Sequence, residues 1–184
     1  LLGTIYGAND NASGVAGVLE IARVMKEREF SPSSTIMFIA FAAEEVGLYG
    51  SKDFAADPNG YSSRIRFMLN FDMIACENST DPANWFVNIM DYDNSHKLRT
   101  EAEAMVDPKY TLLESFTDNT SHNYSDSYSF FLYGYKALFF FSGDADPNYH
   151  TLNDIAANYN FEYCAEIVKV SCALAADKNW VPGN

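Results

Sequence analysis

Basic residues are scarce in this sequence: 12 Lys and Arg stand against 25 Asp and Glu in 184 residues, a formal charge of −13. Binding driven by a nucleic-acid backbone needs a basic surface, so the balance argues against that class of partner. Long hydrophobic runs are missing too. The longest, residues 36–43 and 137–141, are strand-sized, and none nears the ~20 apolar residues of a membrane-spanning helix. Cysteine is limited to Cys76, Cys164 and Cys172, an odd set without the short paired spacing of a thiol metal site. Cys164 and Cys172 fall on one expected helix, and their separation there, a rise of ~12 Å, is too long for a disulfide. Also missing at Leu1-Leu2-Gly3-Thr4 are a start methionine, a basic leader and a signal-peptide pattern. The sequence therefore reads as beginning inside a domain.

What is present is the material of a globular core. Hydrophobic residues make up 48% and aromatics 15%, and the length suits a single domain, residues 1–184. The acidic surplus serves solubility. It could also surround a metal ion or attract a cationic group such as a free amino terminus.

Periodicity divides the chain into alternating helices and strands. Apolar residues at Val15, Val18, Leu19, Ala22 and Met25 predict a helix over 13–30, closed by the Ser-Pro-Ser-Ser break at 31–34. Residues 35–43 are almost wholly apolar, as in a strand buried on both faces. A short helix follows at 47–56, ending before the Asp-Pro-Asn-Gly turn at 57–60. Further strands are expected at 66–74, 85–90, 110–115 (an edge) and 136–142. Helices are expected at 94–106, 128–133 and 161–176, with a polar loop over 117–126. The alternation implies a three-layer α/β/α domain around a mostly parallel, mixed sheet.

Chemistry concentrates where those strands end. Glu44 and Glu45 follow the apolar run 35–43, Asp72 comes late in the strand 66–74, His150 follows the strand 136–142, and Asp10 precedes the first helix. Ligands of open α/β sheets bind at the carboxyl ends of the strands. Two adjacent carboxylates there are costly to desolvate unless a positive group compensates them. Carboxylate and imidazole are the ligand set of catalytic zinc, and a carboxylate that does not ligate can take a proton from water. Neighbours on an extended segment point to opposite sides, so Glu44 and Glu45 should differ in role. Taken singly, Asp10 reads as an N-cap, His150 as a surface or hydrogen-bonded core residue and Glu44-Glu45 as a helix start. Their arrival from four segments at one sheet edge favours a shared site.

The segments GANDNASGVAGVLEIARVM, FAAEEVGLYGSKDFA, LNFDMI and NYHTLND occur in that order across about residues 6–175. Together they resemble the co-catalytic zinc aminopeptidases typified by bacterial leucyl aminopeptidase, whose fold is shared by transferrin-receptor-like and glutaminyl-cyclase-like proteins. The resemblance implies a zinc exopeptidase fold lacking its first strands. It makes Asp10 the carboxylate bridging two zinc ions, Glu45 and His150 the remaining protein ligands of one, and Asp72 a ligand of the other. Glu44 becomes the general base, and Tyr149 a residue that polarises the scissile carbonyl. The implied activity is removal of an N-terminal residue from a peptide with a free amino terminus, by an extracellular or periplasmic (secreted) enzyme.

This sequence departs from that pattern twice. The family's second zinc takes a histidine from an H-x-D segment upstream of the first motif, at the end of an interior strand, and residues 1–184 do not contain it. Where many relatives read SDH, this sequence has Ser125-Asp126-Ser127; His96 and His122 read as surface residues. One tightly held zinc is therefore expected, with either direct closure of the flanking strands or an open edge that invites self-association. Two rival readings follow from the same residues. One is a glutaminyl-cyclase-like acyltransferase using a single zinc at Asp10, Glu45 and His150. The other is a remnant or binding module that keeps the fold without turnover.

Overall fold

The computed structural model describes residues 6–56, 60, 64–143 and 145–178. The turn expected at 57–60 falls largely outside the described residues, as does the opening tetrapeptide. The elements run α1 (Ala12–Glu27), α2 (Tyr49–Ala55), β1 (Met68–Phe71), β2 (Phe86–Met90), α3 (His96–Glu103), β3 (Glu114–Phe116), α4 (Ser127–Leu132), β4 (Ala137–Phe141) and α5 (Phe161–Asp177). Asn11 caps α1 by accepting the Gly14 N–H, and Asn160 caps α5 by accepting those of Glu162 and Tyr163, satisfying donors that a first helical turn leaves free.

The sheet order is β1-β4-β2-β3, with β1 parallel to β4, β4 antiparallel to β2, and β2 parallel to β3. Residues of α1, α3 and α5 pack on one face around Leu138 and Phe140. Residues of α2 and α4 pack on the other, with Ala137 and Phe130 buried there. Strand alternation explains the division: on β4, Leu138 and Phe140 point to one layer and Ala137 to the other. Full burial of a side chain such as Phe140 contributes ~1.5–3 kcal/mol. The three layers and the mixed sheet are those expected from the sequence.

Three expectations change. The strand expected at 110–115 forms at Glu114–Phe116, still at an edge. The loop 117–126 contains a 3-10 turn, Asn119–Tyr124, capped by the Asp118 side chain. The larger correction concerns residues 35–43. They are not a buried strand: they join no sheet ladder among the described residues, and Met37 and Phe38 are 49% and 42% exposed. A strand buries its faces and backbone only when neighbours flank it. Here the facing edge, β1, stands across a cavity of about 960 Å³ bounded by both segments. The flanking segments have not closed on each other, so an open edge remains.

Candidate active site

The turn before α1 is held from several directions. Asn9 donates through Nδ2 to Asp146 at 2.9 Å, and its Oδ1 accepts the Ala75 N–H at 2.9 Å. The Ser13 hydroxyl donates to the Asn9 carbonyl at 2.7 Å and accepts the Ile74 N–H at 3.0 Å. The Asn9 and Asp10 N–H groups both donate to the Asp154 carboxylate, at 2.7 and 3.2 Å. Gly14 is required for contact: a Cβ there would lie 2.1 Å from the Phe71 carbonyl oxygen. Gly7, at φ +65°, takes a left-handed conformation that favours glycine. The motif GANDNASG is thus mostly scaffold, and Asp10 is the group it presents.

Glu44 and Glu45 lie in a turn, not an extended segment. The Glu44 carbonyl accepts the Gly47 and Leu48 N–H groups at 2.9 and 2.8 Å. Strand alternation therefore does not apply to the pair; of the two, Glu45 joins a ligand group. The Glu45 carboxylate meets His150 Nε2 at 3.0 Å, and Asp10 Oδ2 lies 3.3 Å from the same nitrogen. His150 occupies a left-handed backbone position, φ 56°, unusual for a residue with a Cβ and frequent at functional sites. One ligand atom from each of Asp10, Glu45 and His150 falls within 4.8 Å of the others.

Asp72 is close by but outside that group. It is buried, and its Oδ2 accepts the Ser125 hydroxyl at 2.7 Å, while Ser125 itself accepts from Asn70 at 2.6 Å. Its Oδ1 has no partner, nor does Oδ1 of buried Asp126. Burial, opposed by the Ser125 bond and reinforced by the charges of Asp10, Glu44 and Asp126, pushes the Asp72 carboxyl up to about 8. Burial and the charge of Glu45 raise Asp10 to about 6. Burial with Glu45, Asp126 and Asp10 raises Glu44 to about 7. Crowded carboxylates with partnerless buried oxygens among them have the chemistry of hard ligands. The donor set fits a divalent ion.

Tyr149 stacks its ring on that of His150, with centroids 3.8 Å apart. Burial, then the charges of Asp10 and Glu45, push its hydroxyl up to about 12. The other histidines lie elsewhere. His96 pairs with Asp91 through Nδ1 at 2.6 Å, and His122 packs edge-on against Tyr92. Cys76, Cys164 and Cys172 form no disulfide among the described residues. Sequence reasoning did not single out the supports Asp146, Asp154 and Ser125. Asp146 shortly precedes the NYHTLND segment and Asp154 ends it, but nothing in their spacing shows that they reach back to Asn9.

The profile of peptidase family M28 matches residues 2–175. A probable zinc metalloprotease of Pyrenophora tritici-repentis is 43% identical over 86 residues, covering 45% of this chain and 19% of the relative. The solved LapA aminopeptidase of Legionella pneumophila superposes with a TM-score of 0.86 at 25% identity, over 100% of this chain and 49% of LapA. BSAP, a zinc aminopeptidase of Bacillus subtilis, gives 0.73 at 27% identity, over 93% of this chain and 42% of BSAP. The chain thus spans about a fifth of the fungal relative and half or less of these solved aminopeptidases. With the profile matched along nearly its whole length, this chain belongs to peptidase family M28.

Proposed function

We propose that this chain carries the catalytic residues of a zinc-dependent aminopeptidase, which hydrolyses the first peptide bond of a substrate with a free amino terminus. The observation that supports this reading most is the meeting of Asp10, Glu45 and His150 at one point. These three would hold zinc, and Asp72 would serve a second ion. Bound zinc supplies Lewis acidity, which acidifies water and polarises a carbonyl.

The chain's own residues supply the proton handling. Glu44 is free of the ligand trio, and its carboxyl, raised to about 7, lies where a group both accepts and returns a proton at neutral pH. It takes the proton of the attacking water and delivers it to the leaving amine. The Tyr149 hydroxyl, kept protonated by its raised pKa, donates to the carbonyl oxygen as negative charge develops there. The carboxylates gathered here, with buried Asp126 acting on Glu44 and Asp72, attract the substrate's ammonium.

Metal analysis combined with an aminoacyl-nitroanilide assay tests the reading. Zinc bound by the wild-type chain and lost in His150→Ala, with release of free amino acid, is the expected result. Zinc binding without amino acid release would favour a binding module. Formation of pyroglutamyl product would favour an acyltransferase.

A further inference from the structure

His150 stands in a loop whose two ends are pinned to the turn that carries Asp10. Asp146 and Asp154 lie four residues before and four after it. Asp146 uses its two carboxylate oxygens differently. Oδ1 accepts the Asn148 N–H at 2.8 Å, and the Asp146 carbonyl accepts that of Tyr149 at 3.2 Å. This is the local bonding by which an aspartate shapes a turn. Oδ2 accepts from outside the loop, from Asn9 Nδ2 and from the Tyr159 hydroxyl, each at 2.9 Å. At the other end Asp154 offers three acceptors to consecutive amides. Its carbonyl takes the Ala8 N–H at 3.2 Å, and its carboxylate takes those of Asn9 and Asp10.

Tyr159 joins the two ends. Burial, then its bonds to Asp146 and Asp154, hold its hydroxyl protonated, above the ordinary phenol range. Asn9 joins them as well, through Nδ2 at one end and its N–H at the other. Both polar atoms of the Asn9 side chain are engaged, since Oδ1 accepts the Ala75 N–H, and the residue is fully buried. A buried polar network whose members are paired is rigid. The backbone of His150 needs such a frame, because at φ 56° it holds a conformation that a residue with a Cβ resists. Glu45 comes from a separate turn, closed by the Gly47 and Leu48 bonds to the Glu44 carbonyl, and reaches the loop at His150 Nε2.

We propose that Asn9, Asp146 and Tyr159 are positioning residues, forming a bridge that fixes His150 against Asp10 so that two ligands from widely separated parts of the chain meet a metal ion as one preformed unit. The inference rests on the zinc reading of this site. The 3.3 Å between Asp10 Oδ2 and His150 Nε2 is then set by the bridge, and Glu45 completes the trio from its own turn. None of the three bridging residues touches the ion. They act through the backbone of the ligands, as outer partners that orient a metal site do.

The test is a donor–acceptor exchange in the whole chain, read by zinc competition against a chelator and by amide hydrogen exchange of the metal-free chain. Asn9→Asp sets one carboxylate against another. Asp146→Asn sets donor against donor, at Asn9 or, with its amide turned, at the Asn148 N–H. Each should weaken zinc binding ~10–100-fold. Each should also speed exchange of the Asn148 and Tyr149 amides about tenfold, with the amides of α3 unchanged. Asn9→Asp combined with Asp146→Asn conserves charge and restores the pair with its direction reversed, and the Tyr159 hydroxyl accepts as well as donates. The combination should return zinc affinity to within about threefold of wild type. Tyr159→Phe keeps the ring, removes the hydroxyl alone and should weaken zinc binding about tenfold, which covers the case in which the exchanged forms do not fold. Wild-type affinity and loop exchange in Tyr159→Phe, or a combination no better than the worse single change, would overturn the proposal. Failure of the wild-type chain to bind zinc would overturn the catalytic reading instead, and loop exchange in the metal-free variants would still decide whether the bridge holds His150.

Discussion

Asp154 holds Asp10 by its backbone: the carboxylate of the first accepts the N–H of the second at 3.2 Å. The same carboxylate takes the Asn9 N–H at 2.7 Å, and Asp154 is fully buried. An acidic side chain 144 residues downstream therefore sets the position of a proposed metal ligand without touching the metal. Asp154→Asn offers an amide where an acceptor is needed. It should weaken zinc binding by roughly 10–100-fold, as loss of an outer support typically does, while circular dichroism stays that of wild type. Unchanged zinc affinity would remove Asp154 from the site.

The adjacent glutamates should separate cleanly by function. Glu44→Gln is expected to keep zinc and lose turnover by ~10² or more. Glu45→Gln, whose parent carboxylate meets His150 at 3.0 Å, should lose zinc and turnover together. Atomic absorption beside a rate assay decides between the roles. The opposite pattern would mean that they are exchanged.

Metal counting addresses stoichiometry. Among the described residues one trio of ligand atoms assembles, and Asp72 lies outside it. Dialysis against a mild chelator should leave one zinc per chain. Two retained ions would place Asp72 in a second tight site.

The metal-free chain should lose stability as pH rises. Asp72, Glu44 and Asp10 are raised to about 8, about 7 and about 6 from ordinary values of 3.8, 4.5 and 3.8. Below the ordinary values both states are protonated and stability is highest. Above them the unfolded chain releases protons that the folded chain retains, so the slope of unfolding free energy with pH is negative. The loss extends from about pH 4 to about pH 8. Melting temperatures measured at pH 5 and pH 8 should fall in that order, and Asp72→Asn should flatten the difference. A melting temperature that rises over the same interval would contradict the charge crowding.

Elements whose signal is local were legible along the chain alone. The apolar spacing of Val15, Val18, Leu19 and Met25 placed α1 to within a few residues, and the run from Ala137 to Phe141 placed β4, because amphipathic and buried patterns are written within one segment. Three of the four motifs also named Asp10, Glu45 and His150, which the structure brings together. Tertiary structure decided everything that depends on a neighbour. Residues 35–43 carry the composition of a buried strand, yet without a strand beside β1 they remain unpaired. Asp72 sits in the expected segment, but the Ser125 hydroxyl and burial hold it apart from the ligand trio. The reach of Asp154 to Asp10 has no local signature at all, since a contact between distant segments is fixed by how the sheet and helices pack.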